Sequence, residues 1–485
     1  MMTKNKKKII KFLTFLLFFI LSYFLFVFQK DYSIINKDLQ TLFVTSEVIQ
    51  KTWIPYLEVW DHKGPLYFWI YAFLDLLILD KVMLINLYII LFNSYFCYII
   101  FWNNFKYNSN WGFSLLPSLF YAFVSNTFLF GKSIYYEQFI ILLLILAYSI
   151  QKKRSGLITG LLLGLSSLIA NTAVLFLPIF IFIYPKFKDL IKLATGFLII
   201  TLSSYAFFYL NKLESLYLYT NYLYPFEYSS NHLGVPRDDV GVLSIFYLLK
   251  NDLSNLYFFC FVILCVVFLI TFFFSFFTNK ILKNNILDIL FPVIGLLIPI
   301  IAGKFYGHHF LYFIIFFLYS FSTFYDSKLF KFFFSKIFIV LILSFNFFFF
   351  GSLYVDTLKY ENHKFNIFRN YEYEIISSQI LNDYPQLQTI FITNNIYLAD
   401  STNLTPVNYI SHTPLYIEDY QLVENINQIR GTNESLDTII ETKPDLLVCN
   451  LNSKYFYEKY CNNTDYFSYK VFNDSEIFIN NKFRK

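Results

Sequence analysis

Charge is scarce in this chain. Of its 485 residues 15% are Asp, Glu, Lys or Arg, while 57% are hydrophobic and 23% aromatic; soluble domains carry about 25% charged residues. With a positive mean hydropathy, that shortage indicates a membrane protein. The net charge of +5 does not indicate nucleic acid, because the lysines fall in short clusters between apolar runs, as cytoplasmic loops do. Cysteine is also sparse. The five cysteines (Cys97, Cys260, Cys265, Cys449 and Cys461) form no CxxC, so no metal or disulfide framework follows from them. Cys449 and Cys461 share the polar terminal region and can pair only if it faces an oxidising space, which spacing does not decide. There is no Gly-rich phosphate loop, so no cofactor is assigned. No DxD occurs either, which argues against a metal-dependent nucleotide-sugar enzyme and leaves a metal-free mechanism as the simpler expectation. No internal repeat or low-complexity linker stands out.

What the chain does contain is apolar runs of near 20 residues, the length that crosses a bilayer as helix. The basic start from Lys4 to Lys11 and the Phe-rich run to about Phe28 have no small-residue cleavage site after them. They read as an uncleaved anchor with a cytoplasmic N-terminus. Further spans are expected at about 83–103, 112–130, 137–151, 156–170, 172–185, 190–210, 255–277, 286–302, 310–326 and 334–354, giving about eleven. The loops placed inside, Gln151 to Arg154, Pro185 to Lys188, Lys280 to Lys283 and Ser327 to Lys336, are short and basic. An odd count puts the C-terminus outside. Residues 156–185 could be one long tilted helix, but Ala170-Asn171-Thr172 at its centre favours a helical hairpin. Two shorter amphipathic segments, 66–80 and about 240–251, are expected along the outer surface. Beyond about Val355 the composition turns to Asn, Asp, Glu, Thr and Ser. Helical periodicity over Tyr371 to Asp383, 416–430 and 436–442 alternates there with strands at Gln388 to Thr393, Asp445 to Cys449, Phe467 to Phe472 and Glu476 to Ile479. The expected organisation is a polytopic α-helical membrane domain, 1–355, and a small extracytoplasmic α/β domain, 356–485.

The densest polar cluster near the membrane is Tyr56-Leu57-Glu58-Val59-Trp60-Asp61-His62-Lys63-Gly64-Pro65-Leu66-Tyr67, which follows the first span. A charged block beside lipid is costly unless it contacts something charged. Asp38, Glu58 and Asp61 are candidate bases and Lys63 and His62 can meet a phosphate, while Gly64-Pro65 ends the loop and opens the next helix.

Asp38 followed by Pro55-Tyr56 and Asp61-His62-Lys63-Gly64-Pro65-Leu66 resembles the first outer loop of polytopic glycosyltransferases that use polyprenyl-phosphate sugars. This is the GT-C superfamily, in its bacterial branch similar to dolichyl-phosphate-mannose protein mannosyltransferases and lipid A aminoarabinose transferases. Tyr135-Tyr136-Glu137-Gln138 stands where that branch often places an acid, and Gly303-Lys304-Phe305-Tyr306-Gly307-His308-His309-Phe310 is similar to its late Gly-basic-aromatic-Tyr-x-His segment. The resemblance covers about residues 9–355. The branch usually carries a basic residue near the top of the fifth or sixth span, where this chain has Ile169-Ala170-Asn171-Thr172.

The resemblance implies a GT-C-like fold and transfer of a sugar from a polyprenyl-phosphate donor to an acceptor hydroxyl outside the membrane, with inversion and without a metal. Asp38 would be the base, with Asp61 as second choice or as the group orienting Lys63. Lys63, Lys304, Tyr306 and His308 would meet the donor phosphate, and Glu137 would position the acceptor or a sugar hydroxyl. Asp38, Asp61, Lys63, Glu137, Lys304 and His308 should then share one outer cavity. The implied partners are the lipid-linked donor, a glycan, lipid or protein acceptor, and membrane lipids; the implied location is a bacterial inner or plasma membrane. Two rival classes are a surface polysaccharide polymerase or ligase and a non-enzymatic transporter of lipid-linked glycans. A polymerase would carry more outer-loop arginines than Arg237, and a transporter would show repeats or broken midplane helices.

Overall fold

The structure is a computed structural model. It describes residues 4–27, 37–77, 81–125, 134–151, 155–184, 186–225, 286–301, 307–322, 371–392, 404–407, 420–432, 435–450, 457, 461, 465–472 and 475–484. The expected spans at 255–277 and 334–354, the outer segment at 240–251 and the domain boundary at 355/356 lie outside them. The chain divides into two compact units, residues 1–34, 83–201 and 225–367 in the first and residues 35–82, 202–224 and 368–485 in the second.

The described helices are mostly those the apolar runs predict: α1 (Lys4–Val27), α2 (Lys37–Thr52), α3 (Pro65–Leu77), α4 (Lys81–Asn108), α5 (Trp111–Ser125), α6 (Tyr136–Gln151), α7 (Gly156–Ile169), α8 (Leu177–Ile183), α9 (Phe187–Leu210), α10 (Glu214–Leu218), α11 (Ile286–Ile301) and α12 (Leu311–Tyr319). Three stretches among the described residues are long and apolar enough to cross a membrane, Lys8–Phe26, Leu84–Tyr107 and Phe187–Leu210; the remaining apolar helices are shorter. Most of the apolar surface of α1 and α9 faces outward, the arrangement lipid stabilises and water does not. Between α7 and α8 the chain does not run on as one helix. Ala170 is extended at φ −158°, ψ 143°, and a 3-10 turn over Asn171–Phe176 follows.

Inside the first unit, helices meet through small residues and polar bridges. Gly156, Gly160 and Gly164 recur every fourth residue on α7 and lie against α9. A Cβ would stand 2.6 Å from the Asp189 carbonyl oxygen at Gly156, 2.8 Å from Phe197 N at Gly160 and 2.8 Å from Ile200 Cβ at Gly164. From the other side, one on Gly196 would stand 2.8 Å from Leu161 N. Such stripes let backbones approach closely where the surrounding solvent is apolar. At the end of α4, Asn104 donates to the Leu318 carbonyl at 2.8 Å and accepts from Ser322 N at 2.6 Å, while Asn103 donates to the Tyr319 carbonyl at 2.7 Å. Tyr148 on α6 donates to Asp288 on α11 at 2.9 Å.

The second unit carries the polar part of the chain. Its terminal portion holds α13 (Tyr371–Asp383), β1 (Thr389–Ile392), β2 (Thr405–Pro406), α14 (Tyr420–Arg430), α15 (Leu436–Glu441), β3 (Leu446–Asn450), β4 (Tyr466–Phe472) and β5 (Ser475–Asn480). The sheet order is β2-β1-β3-β5-β4, with β2, β1 and β3 parallel and β5 antiparallel to both β3 and β4. Ile376, Ile380, Tyr384 and Leu387 pack with Ile390, Leu446, Val448, Ile477 and Ile479 to form its core. Cys449, the fourth of the five residues of β3, is joined to Cys461 by a disulfide, which settles the pairing that spacing left open. Asp445 ties the sheet together, accepting from Gln388 N at 2.8 Å and Thr389 N at 3.1 Å while pairing with Lys482.

Two outcomes follow. Gly160→Leu should lower stability in detergent by about 3 kcal/mol, since overpacked contacts between backbones have nowhere to relax. Gly112→Ala, whose Cβ would meet only Asn110 Oδ1 at 3.6 Å among the described residues, should be near neutral in the same thermal unfolding. Burial raises the Asp445 pKa, but the Lys482 hydrogen bond and the two backbone N–H donors outweigh it and hold the carboxyl below its ordinary value. A depressed folded value contributes stability that is complete above the unfolded pKa of about 3.9 and disappears as pH falls through the folded one. Urea unfolding of the full chain should therefore lose stability on the acid side, and Asp445→Asn should flatten that limb while lowering stability at neutral pH.

Candidate functional site

The first polar cluster is built on the turn between α2 and α3. Pro65 at the start of α3 needs no N–H donor and pre-sets the helical φ, so the chain turns into helix directly after Lys63-Gly64. The approach is bent sharply: Trp53 and Tyr56 have φ of 60° and 67°, values that side chains other than Gly adopt only when the surroundings impose them. Those surroundings are specific. Tyr56 donates to the Lys63 carbonyl at 2.6 Å, and Trp60 donates through Nε1 to Thr220 Oγ1 at 2.7 Å. Asn221 Nδ2 lies 3.5 Å from the Tyr56 hydroxyl. The Tyr224 ring meets Trp60 edge-on at 5.4 Å and also contacts His62. Thr220 and Asn221 come from a π-helical turn, Tyr219–Leu223, directly after α10.

Held in this way, Asp61 is a buried carboxylate. Its Oδ1 lies 3.3 Å from Lys63 Nζ, 3.2 Å from Lys63 N and 3.2 Å from His62 Nδ1. Lys63 is itself 8% exposed. Burying an ion pair costs several kcal/mol of desolvation per ion before the attraction is counted, so this arrangement is not explained by stability alone. Glu58, a third acid of the loop, is exposed. Asp38 is the second residue of α2.

The second cluster belongs to the first unit. Glu137 opens α6, and His308 and His309 lie in the 3-10 turn Gly307–Phe310 that leads into α12. Glu137 Oε1 is 2.9 Å from His309 Nδ1 and 4.0 Å from His308 Nε2. The Tyr135 ring stacks on His308 with centroids 4.4 Å apart and planes 4° from parallel, and the Tyr136 hydroxyl is 3.5 Å from His309 Nδ1. One ligand atom from each of Glu137, His308 and His309 lies within 4.8 Å of the others, a set that could hold a metal ion.

Of the residues named from the sequence, Asp61 and Lys63 are thus brought together in one unit, and Glu137 and His308 in the other. Lys304 and Tyr306 lie outside the described residues. No known protein-family model matches this chain, and no curated protein is detectably similar to it. The function must be argued from these side chains.

Sequence reading passed over two participants. His309, not His308, makes the short contact to Glu137, and its adjacency to His308 was the available signal. Thr220 has none, because a lone Thr in an aromatic stretch reads as packing. Thr220→Val keeps the shape but removes the acceptor of the buried Trp60 N–H, and should cost about 1–3 kcal/mol. The expected readouts are a lower unfolding temperature and faster proteolysis within the 53–64 loop.

Proposed function

We propose that this chain is a membrane glycosyltransferase of GT-C type, moving a sugar from a polyprenyl-phosphate donor to an acceptor hydroxyl on the extracytoplasmic side. The observation that carries the reading is the buried Asp61–Lys63 pair in a turn fixed by Tyr56 and Trp60. A lysine oriented by a buried carboxylate, in a turn between a predominantly polar helix and an apolar one, suits a ligand that is both lipid and anion. The disulfide in the second unit supports an oxidising, extracytoplasmic setting for it, and the three apolar helices support membrane association.

In the proposed reaction the acceptor oxygen attacks the anomeric carbon while the bond from that carbon to the donor phosphate oxygen breaks. The electron pair leaves with the polyprenyl phosphate, and the acceptor proton goes to a carboxylate. Lys63 meets a charge already on the donor that grows as the bond breaks, so its attraction is stronger in the transition state. Asp61 holds the Lys63 ammonium in place. Asp38 is the proposed base, and displacement by one attacking group inverts the anomeric centre. Glu137 and His308 are proposed to position acceptor and donor groups, with Lys304 and Tyr306 assigned to the phosphate on the resemblance of their segment.

Membranes holding equal amounts of each variant, assayed against a panel of polyprenyl-phosphate sugars, test this. Lys63→Ala should weaken donor binding and turnover together, and Asp38→Asn should abolish transfer with donor binding largely kept, since the amide cannot accept the proton. A large loss in Asp61→Asn with near-normal Asp38→Asn moves the base role to Asp61. Unimpaired transfer in all three removes the loop from the mechanism.

A further inference from the structure

We propose that Glu137, His308 and His309 bind a divalent transition-metal cation of the zinc class. The carboxylate and His309 are 172 residues apart in sequence, yet the start of α6 and the turn before α12 bring one oxygen and two imidazole nitrogens within 4.8 Å of one another. Ligands of a tetrahedral zinc at roughly 2.0–2.1 Å from the ion stand about 3.4 Å apart. The 2.9 Å and 4.0 Å separations from Glu137 Oε1 bracket that spacing, so small side-chain rotations complete the shell.

A second, independent observation points the same way. Glu137 has a fully buried side chain, and its Oε2 is a buried oxygen with no hydrogen-bond partner among the described residues. Leaving a charged oxygen in that condition is expensive, and a cation beside the carboxylate removes the expense. One carboxylate and two imidazoles suit zinc and its neighbours, whereas Ca²⁺ and Mg²⁺ prefer shells of oxygen. Three protein ligands leave a fourth position open to water or a ligand oxygen. The stacked Tyr135 ring holds the His308 plane in place, as the surroundings of a metal ligand commonly do.

This site departs from the metal-free expectation drawn from the lack of DxD. It is independent of the glycosyltransferase reading, because stoichiometric metal in a chain without transferase activity leaves it standing. Full-length protein purified in detergent, stripped with chelator, equilibrated with zinc and then dialysed, should retain about one zinc per chain by elemental analysis. Glu137→Ala and His309→Ala should each lose most of it, and His62→Ala should keep it. Cobalt in place of zinc should give the visible bands of a four-coordinate ion, and zinc should raise the unfolding temperature of the stripped wild type but not of Glu137→Ala. The rival is a proton on one imidazole balancing the carboxylate. Wild-type protein that retains no stoichiometric zinc, shows no cobalt bands and gains no stability from the ion would overturn the site, even where the variants fail to fold. Zinc retained equally by Glu137→Ala and His309→Ala would also overturn it.

Discussion

A polar group in an apolar surround has only the protein to bond with, and the described part of the first unit is arranged around that constraint. Asn103 and Asn104 satisfy the last carbonyls of α12, which helix geometry leaves without intrahelical donors. Tyr148 satisfies Asp288. Where no polar bridge joins two helices, glycine lets the backbones close directly, as along α7 and α9. Lipid tails give apolar helix faces little reason to prefer each other over lipid, so dispersion and interhelical hydrogen bonds must decide which faces meet. The Glu137 carboxylate is as buried as these groups, and its Oε2 has no hydrogen-bond partner among the described residues.

Much of this architecture was legible because it depends on period and composition. Among the described residues the apolar runs gave most of the helices, but not α2, whose stretch reads as part of the first outer loop, and the alternation around Asn473-Asp474 gave β4 and β5. Strand β3 was legible as Asp445 to Cys449 because a strand buried on both faces is continuously apolar; the structure shifts it by one residue. Strand β2 was not, since two residues, Thr405 and Pro406, carry no pattern and pair only because β1 is already there. The break at Ala170 was open in the sequence and is decided by a single extended residue. The Asp61–Lys63 contact is local, two residues apart, so the motif predicts it. By contrast, the Trp60–Thr220 hydrogen bond spans 160 residues and follows from tertiary placement alone.

The second unit shows why the loop and the terminal domain are better understood together than as catalytic segment and appendage. Residues 35–82, 202–224 and 368–485 form one contact unit. Within it the π-helical turn after α10 is the shared element. Its Thr220 and Asn221 face the loop through Trp60 and Tyr56, and its Tyr219 hydroxyl accepts from Asn425 on α14 at 3.2 Å. A π-turn costs helix stability and persists where side chains must be re-aimed; here consecutive residues are directed to two different partners. The buried Asp61–Lys63 pair needs a wall that excludes water and fixes torsions, because an ion pair released to solvent loses most of its orientation. Tyr56, Trp60 and Tyr224 supply that wall, and Asn425 of the terminal domain contacts the turn directly before Tyr224. The α/β domain thus reaches the turn that holds the polar loop through the Tyr219–Asn425 hydrogen bond.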